Sequence, residues 1–208
     1  MPFDLIIFDY DGVLVDSLDE VISAGRDFCQ SIGHERILNK EILTTLEPMT
    51  YGELARSIGL TTDQAESFSE FIFKRLQKTN TSIPFFPGIK SLLRQLACAH
   101  IAIISGNARE VIHAKLATHD LDRHVACIFG AYEPGDKAEK IGKACACFGA
   151  VPARTCMIGD SVSDIQYAKK AGVQSIAVTW GWQSRDVLAG EKPDYFVDSV
   201  SELTAMLK

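Results

Sequence analysis

Three observations in the 208-residue sequence predict an α/β protein: a parallel sheet covered by helices on both faces, with a small all-helical insertion after its first strand. An unbroken apolar run, Leu5-Ile6-Ile7-Phe8, suits a strand buried on both faces better than one with a wet face. Four amphipathic helical patterns follow between Asp16 and about Asn80, with no strand among them. Beyond Pro84 and Pro87, helices and strands alternate regularly, as the chain of a parallel sheet must.

In chain order, the first strand ends in Asp9 and Asp11, and Gly12 lets the chain turn there. The first inserted helix carries Leu18, Val21, Ile22, Phe28 and Ile32 on one stripe and stops at Gly33; the second runs from Asn39 to Pro48. The third opens with Thr50-x-x-Glu53 and closes at Gly59. The fourth opens with Thr61-x-x-Gln64 and carries Phe68, Ile72 and Leu76. Helix 88–97 then leads to strand 101–104, helix 108–118 to strand 126–129, helix 136–149 to strand 155–158, and helix 162–171 to strand 174–179. A strand near 195–197 and a helix from Ser199 follow. Residues 1–15 and 84–208 thus read as the α/β core and 16–83 as a separate helical module.

With 47% hydrophobic and 23% charged residues, the chain has the composition of an ordinary soluble globular protein of one or two domains. No apolar run reaches the length of a membrane helix, and acids rather than a basic flank stand near the N-terminus, so a cytoplasmic protein without a membrane partner is expected. The net charge of -6, with no basic cluster, argues against nucleic acid. The cysteines at 29, 98, 127, 145, 147 and 156 form no C-x-x-C pair and read as core thiols rather than zinc ligands or disulfides.

Asp11-Gly12 between apolar runs is also a hairpin signal, with Val13 to Val15 as the returning strand. Against it, the flanking runs do not alternate, and the second gives way at once to Ser17-x-x-Glu20, a helix start. In a parallel α/β sheet, ligands bind at the carboxyl ends of the strands, so the residues just beyond each strand decide between the readings. After Ile104 come Ser105, Gly106 and Asn107, which serve as a helix cap through Asn107-x-x-Glu110, as a seat for an anionic oxygen, or as both. Lys137 sits in the first turn of a predicted helix, where the macrodipole disfavours a cation; a solvated lysine is one reading, a positive charge facing acids the preferred one. After Ile158 come Gly159 and Asp160, with Asp164 four residues on and expected on the same helical face. Like charges at that spacing repel unless one of them caps the helix or a hard divalent cation is shared with Asp9.

The ordered set Asp9-x-Asp11-Gly12-Val13, Ser105, Lys137 and Gly159-Asp160-x-x-x-Asp164 resembles the haloacid dehalogenase (HAD) superfamily, within it the phosphoglycolate phosphatase-like and beta-phosphoglucomutase-like branch. The resemblance covers the whole chain, including the helical module, and extends to Ala171-Gly172-Val173, Val178-Thr179-Trp180-Gly181 and Pro193-Asp194-Tyr195. Ala138 stands after Lys137 where many members carry proline. It implies a Rossmann-like, HAD-like core with a cap, and a Mg2+-dependent phosphatase acting on a small phosphate monoester. Asp9 would be the nucleophile that becomes an aspartyl phosphate, and Asp11 the proton donor and acceptor. An extended strand sets the Cα atoms of Asp9 and Asp11 roughly 6.6 Å apart, too far for both side chains to reach one metal position easily. In the family, the Asp9 carboxylate, the Asp11 backbone carbonyl and Asp160 would hold the metal. Ser105, Lys137 and the N–H groups near Gly106 and Asn107 would hold phosphate, with Asp164 orienting Lys137 or a metal-bound water.

The cap would set specificity, with Arg56 its candidate contact to an anionic group (or a solvated helix arginine), the Glu47 to Tyr51 loop near substrate, and Trp180 and Trp182 at the entrance or simply packed. A small phosphorylated metabolite is the expected partner of a monomer or small homo-oligomer. A sugar phosphomutase would share the core and differ in the cap. A haloacid dehalogenase would work without a metal, a choice that Asp11, Lys137 and the pair at 160 and 164 disfavour. A non-enzymatic phospho-aspartate receiver domain is much shorter and lacks an inserted cap.

Overall fold

The strands of the computed structural model, which describes residues 3–36, 38–96 and 99–208, are β1 (Leu5–Phe8), β2 (His100–Ile104), β3 (Cys127–Phe129), β4 (Thr155–Gly159), β5 (Gln174–Val178) and β6 (Tyr195–Val197). They form one parallel sheet in the order β3-β2-β1-β4-β5-β6. All four residues of β1 are buried, and they alternate between two cores. Ile6 and Phe8 belong to a core completed by Leu92 and Leu93 of α5 (Ile89–Gln95), Ile112 and Leu116 of α6 (Arg109–Ala117), and Leu203 and Leu207 of α10 (Val200–Leu207). Leu5 and Ile7 pack on the other face with Ile141 and Ala144 of α7 (Lys137–Phe148) and Ala168 of α8 (Val162–Ala171). Burial on both faces is why the run lacks polar residues.

Between β1 and α5 lie α1 (Leu18–Ser31), α2 (Lys40–Thr45), α3 (Tyr51–Ser57) and α4 (Thr62–Thr79). Phe28 of α1 meets Phe68 of α4 edge-on at 5.5 Å. Gly33 ends α1 with φ of 68°, where the His34 N–H returns to the Cys29 carbonyl at 2.9 Å. Thr61 and Gln64 form the predicted capping box of α4. Helix α2 stops at Thr45, short of the expected Pro48. Leu46 is extended, which turns its carbonyl outward to accept from the Gln183 side-chain amide at 2.6 Å.

The hairpin reading of residues 10–15 fails. Val15 makes an antiparallel bridge with Phe85, the returning limb of the insertion, and the Phe86 N–H reaches the Leu14 carbonyl at 3.0 Å. The two crossings between sheet and insertion therefore support each other. Asn80, on the same limb, accepts from the Tyr10 hydroxyl at 2.8 Å and donates to the Val111 carbonyl at 2.7 Å. Lys115 of α6 is buried, donates to the carbonyls of Thr81 (2.8 Å) and Ile83, and lies 5.3 Å from the centre of the Phe85 ring.

Helix α9 (Arg185–Gly190) was not anticipated from the sequence; Ser184 caps it, and Leu188 packs with Ile165 and Ala177. Cys29 and Cys156 are buried thiols, Cys127 and Cys145 are half-buried, and Cys147 is exposed, so it departs from the core assignment; Cys98 lies outside the described residues. Among the described residues, no helix is long and apolar enough to cross a membrane.

Lys115→Met should keep most of the stem's packing and leave the carbonyls of Thr81 and buried Ile83 without their donor. A loss of about 1.5–3 kcal/mol is expected, read as a lower urea midpoint at unchanged slope. An unaltered midpoint would show that the ammonium does not hold the returning limb.

Candidate active site

The strand order runs outward from β1 on one side and from β4 on the other, so the crevice of this sheet opens at the carboxyl ends of that central pair. Register sets Phe8 beside both Ile103 and Ile158, which brings Asp9 level with the loops that follow β2 and β4. The expected residues Asp9, Asp11, Ser105, Gly106, Asn107, Lys137 and Asp160 all line one cavity of about 670 Å³ there. Its opposite wall comes from α2, α4 and the segment Pro48 to Tyr51.

Lys137 is the first residue of α7, and the Asp136 side chain caps that helix by accepting the Glu139 N–H. Its Nζ reaches Asp9 Oδ2 at 2.9 Å and Asp164 Oδ1 at 2.6 Å. The two carboxylates hold the Lys137 pKa above its ordinary value, against a burial cost that acts the other way. Asp164 is 1% exposed and both of its oxygens are engaged: Oδ2 accepts from the Ser161 hydroxyl at 2.6 Å and from the Ser161 N–H at 3.2 Å, in a capping box that starts α8. The capping and functional readings of Asp164 therefore both hold. Asp160 is not on the helix with it. It precedes the cap residue Ser161 in the loop, where Oδ2 accepts the Trp182 N–H at 2.7 Å.

Close packing around the acids explains three glycines. A Cβ on Gly12 or Gly181 would run into the Asp160 carboxyl group, and one on Gly159 into that of Asp164. Gly12 also has φ of 77°, a conformation that favours glycine. Asp11 points elsewhere: its Oδ1 accepts from the Ser17 hydroxyl at 2.8 Å. Burial pushes the Asp11 carboxyl above its usual range, opposed by hydrogen bonds from Ser17 and Asn107 and by the charge of Lys137. Burial likewise pushes Asp9 up to about 7, with Lys137 opposing and Asp164 adding to the shift, and raises Asp160 well above its ordinary value, with Asp164 and Asp9 adding to it.

Asp9, Asp160 and Asp164 each offer an oxygen within 4.8 Å of the others. Lys137 bonds two of the three, and among the described residues no cation pairs with Asp160, a carboxylate 3% exposed. Hard, crowded, under-compensated oxygen donors beside an open cavity fit a divalent cation such as Mg2+. The free carboxylate edge lies on the Asp9 and Asp160 side, because Lys137 and Ser161 occupy both oxygens of Asp164.

Two expectations need correction. Asn107 does not cap α6: the cap position is Ala108, and Asn107 Oδ1 accepts the Ala108 N–H at 2.9 Å in a loop that turns it into the cavity. Arg56 does not reach the cavity. It is half-exposed on α3 and pairs with Glu53 one turn earlier, as a solvated helix arginine does. Of the two tryptophans, Trp182 lines the cavity, whereas Trp180 packs and donates to the Val13 carbonyl at 3.2 Å. Ser17 and Gln183 were missed. Ser17 is legible only as a helix start, and Gln183 carries no motif, although its amide links the Val162 N–H of α8 (2.6 Å) to the Leu46 carbonyl.

A model of the haloacid dehalogenase-like hydrolase family matches residues 6–178. The chain is 28% identical over 200 residues to a phosphoglycolate phosphatase of Synechococcus elongatus, covering 95% of this chain and 94% of that one. It is 24% identical over 217 residues to the pyrophosphatase PpaX of Bacillus mycoides, covering 100% and 98%. In fold it is similar to a haloacid dehalogenase-like family hydrolase from Streptococcus pneumoniae, with a TM-score of 0.85 at 22% identity over 100% of this chain and 99% of that one.

In metal-free protein the acidic cluster should cost stability. With Asp9 near 7 against an ordinary value of 3.8, the folded state binds more protons than the unfolded between about pH 4 and 7, so stability falls as pH rises through that window. Asp160→Asn keeps the acceptor for Trp182 and removes one of the repelling charges. In chelator at pH 7 it should be about 0.5–2 kcal/mol more stable than wild type, with the gain vanishing near pH 4. Equal denaturation midpoints at both pH values would refute an uncompensated charge at this position.

Proposed function

This chain belongs to the haloacid dehalogenase-like hydrolase family, and from that premise we propose that it is a Mg2+-dependent phosphatase, phosphoglycolate phosphatase-like in its machinery. It hydrolyses a small phosphate monoester through an aspartyl phosphate. The observation that carries this reading is the charge-linked chain Asp9–Lys137–Asp164 beside Asp160 at the crevice between β1 and β4. Residues 1–15 and 84–208 act as the catalytic core and 16–83 as its cap.

Asp9 attacks phosphorus with a carboxylate oxygen while the bond from phosphorus to the ester oxygen breaks. Asp11, held by Ser17 and with its affinity for a proton raised by burial, gives a proton to the departing oxygen. Water then attacks the aspartyl phosphate and its proton passes to Asp11, which frees inorganic phosphate and restores the Asp9 carboxylate. Lys137 offsets charge on Asp9 and on a phosphate oxygen, and Asp164 fixes the position of its ammonium. Ser105, Gly106 and Asn107 line the cavity, where the Ser105 hydroxyl and the Gly106 N–H would hold remaining oxygens; the Asn107 N–H is donated to Ser105 Oγ at 3.0 Å and orients that hydroxyl. Asp9, the Asp11 backbone carbonyl and Asp160 would hold Mg2+, which when bound draws negative charge from the transferring phosphoryl group.

Phosphate release from acetyl phosphate and alkyl phosphates should vanish in chelator and return with Mg2+. Asp9→Asn should abolish both turnover and phosphoenzyme. Asp11→Asn should slow phosphoenzyme formation roughly 10²- to 10⁴-fold from alkyl phosphates and far less from acetyl phosphate, whose leaving group needs no proton, and the aspartyl phosphate should then linger because the attacking water has lost its base. Phosphate found covalently on Asp11 in a quenched reaction would overturn these roles.

A further inference from the structure

The cavity has two chemically unlike halves. The half nearest the sheet holds the carboxylates and Lys137, while the facing half presents Leu43, Met49, Tyr51, Phe73 and Leu76 from the helical insertion, with Trp182 at its edge. Of the three hydroxyls in that facing half, those of Thr50 and Ser69 bond within their own helices, while the Tyr51 hydroxyl, like the indole N–H of Trp182, has no partner among the described residues. Thr50 Oγ1 accepts the Glu53 N–H at 3.1 Å, and Ser69 Oγ donates to the Ala65 carbonyl at 2.7 Å. Its one charged side chain is Glu70, which is exposed and paired with Lys74 one turn on. Among the described residues, no lysine, arginine or histidine of the insertion lines the cavity. Arg56 pairs with Glu53, and Arg75 with Asp27 and Glu20.

We infer that the substrate's leaving group is uncharged and carries apolar surface of about the size of one ring, so that the enzyme selects aryl-bearing or similarly apolar phosphate monoesters over those with a second anionic group. The inference rests on the phosphatase reading above. A carboxylate or second phosphate on the leaving group would be stripped of water against apolar side chains, and Lys74, the cation beside Glu70, is paired with it and does not line the cavity. A sugar needs partners for several hydroxyls, and the free polar groups here are two, the Tyr51 hydroxyl and the Trp182 indole N–H, each carried on an aromatic ring. An apolar ring loses nothing by desolvation there and gains contact with Tyr51, Phe73 and Trp182. The names of the two relatives, a phosphoglycolate phosphatase and a pyrophosphatase, both point to doubly anionic substrates, so the inference separates this chain from what those names imply.

The test compares kcat/KM of the Mg2+-loaded wild type for phenyl phosphate, 2-phosphoglycolate, pyrophosphate and glucose 6-phosphate, with acetyl phosphate as the benchmark of the core chemistry. Phenyl phosphate should exceed the other three by at least about tenfold. The non-hydrolysable pair benzylphosphonate and 3-phosphonopropionate repeats the comparison by calorimetry, with the aryl compound binding at least about tenfold tighter. Phe73→Arg, which puts a cation on the apolar wall, should shift the ratio of phenyl phosphate to 2-phosphoglycolate toward the latter by about tenfold or more. Equal or better turnover of 2-phosphoglycolate, pyrophosphate or glucose 6-phosphate by the wild type, or equal binding of the two phosphonates, overturns the inference and leaves the phosphatase reading standing. No turnover of any substrate, acetyl phosphate included, removes the phosphatase reading and the inference with it.

Discussion

One ammonium group holds the acidic centre together. Lys137 Nζ sits between Asp9 and Asp164, and without it two buried carboxylates at hydrogen-bond range of a shared point would face each other and Asp160 unscreened. Much of the surrounding structure serves this contact. Asp136 caps the helix that begins at Lys137, Ser161 anchors the second oxygen of Asp164, and the register of β1 with β4 brings Asp9 to the same level. Lys137 is also a cation in the first turn of a helix, where the helix field opposes it. Two close carboxylates outweigh a cost of about a few tenths of a kcal/mol, so the unfavourable position is retained.

The second constraint is room. Asp160 fits into a space where Gly12 and Gly181 contribute no side chain, and Asp164 approaches the backbone at Gly159. The turn after β1, the last residue of β4 and the loop after β5 therefore all carry glycine where they meet the acids. The glycine at 12 has a conformational reason as well, while 159 and 181 have only a steric one. That difference matters for reading sequences, since turn chemistry flags the first kind and nothing local flags the second.

The legible parts of this protein are those written in short-range patterns. β1 showed as an apolar run because both of its faces are buried, α4 as a capping box, and the acids as polar residues at strand ends. The illegible parts depend on contacts between distant segments. Arg56 looked like a contact for an anion because a cation in an inserted module is conspicuous, but its partner was one turn away on its own helix. Asn107 matched a capping spacing, and the loop instead needed one further residue to turn it into the cavity. Asp160 and Asp164 were four apart, yet the helix starts between them, which gives one a structural bond and leaves the other beside the crevice. Tyr51 lies in a loop expected near substrate, but the apolar character of the whole wall emerges only when α2, α3 and α4 are brought together.

The Gln183 amide links the sheet's helices to the four inserted ones, taking the N–H of Val162 at the start of α8 and giving its own to the carbonyl of Leu46 at the end of α2. An amide supplies both roles from one side chain, whereas a carboxylate has no donor for Leu46 and an ammonium no acceptor for Val162. A hydrogen bond of this kind is worth about 1 kcal/mol net, little more than thermal energy. With the Ser184 N–H on the Thr44 carbonyl at 3.4 Å, the amide sets the end of α2 against the loop after β5, so this side of the cavity wall is placed by uncharged contacts to the main chain that neither salt nor pH would loosen.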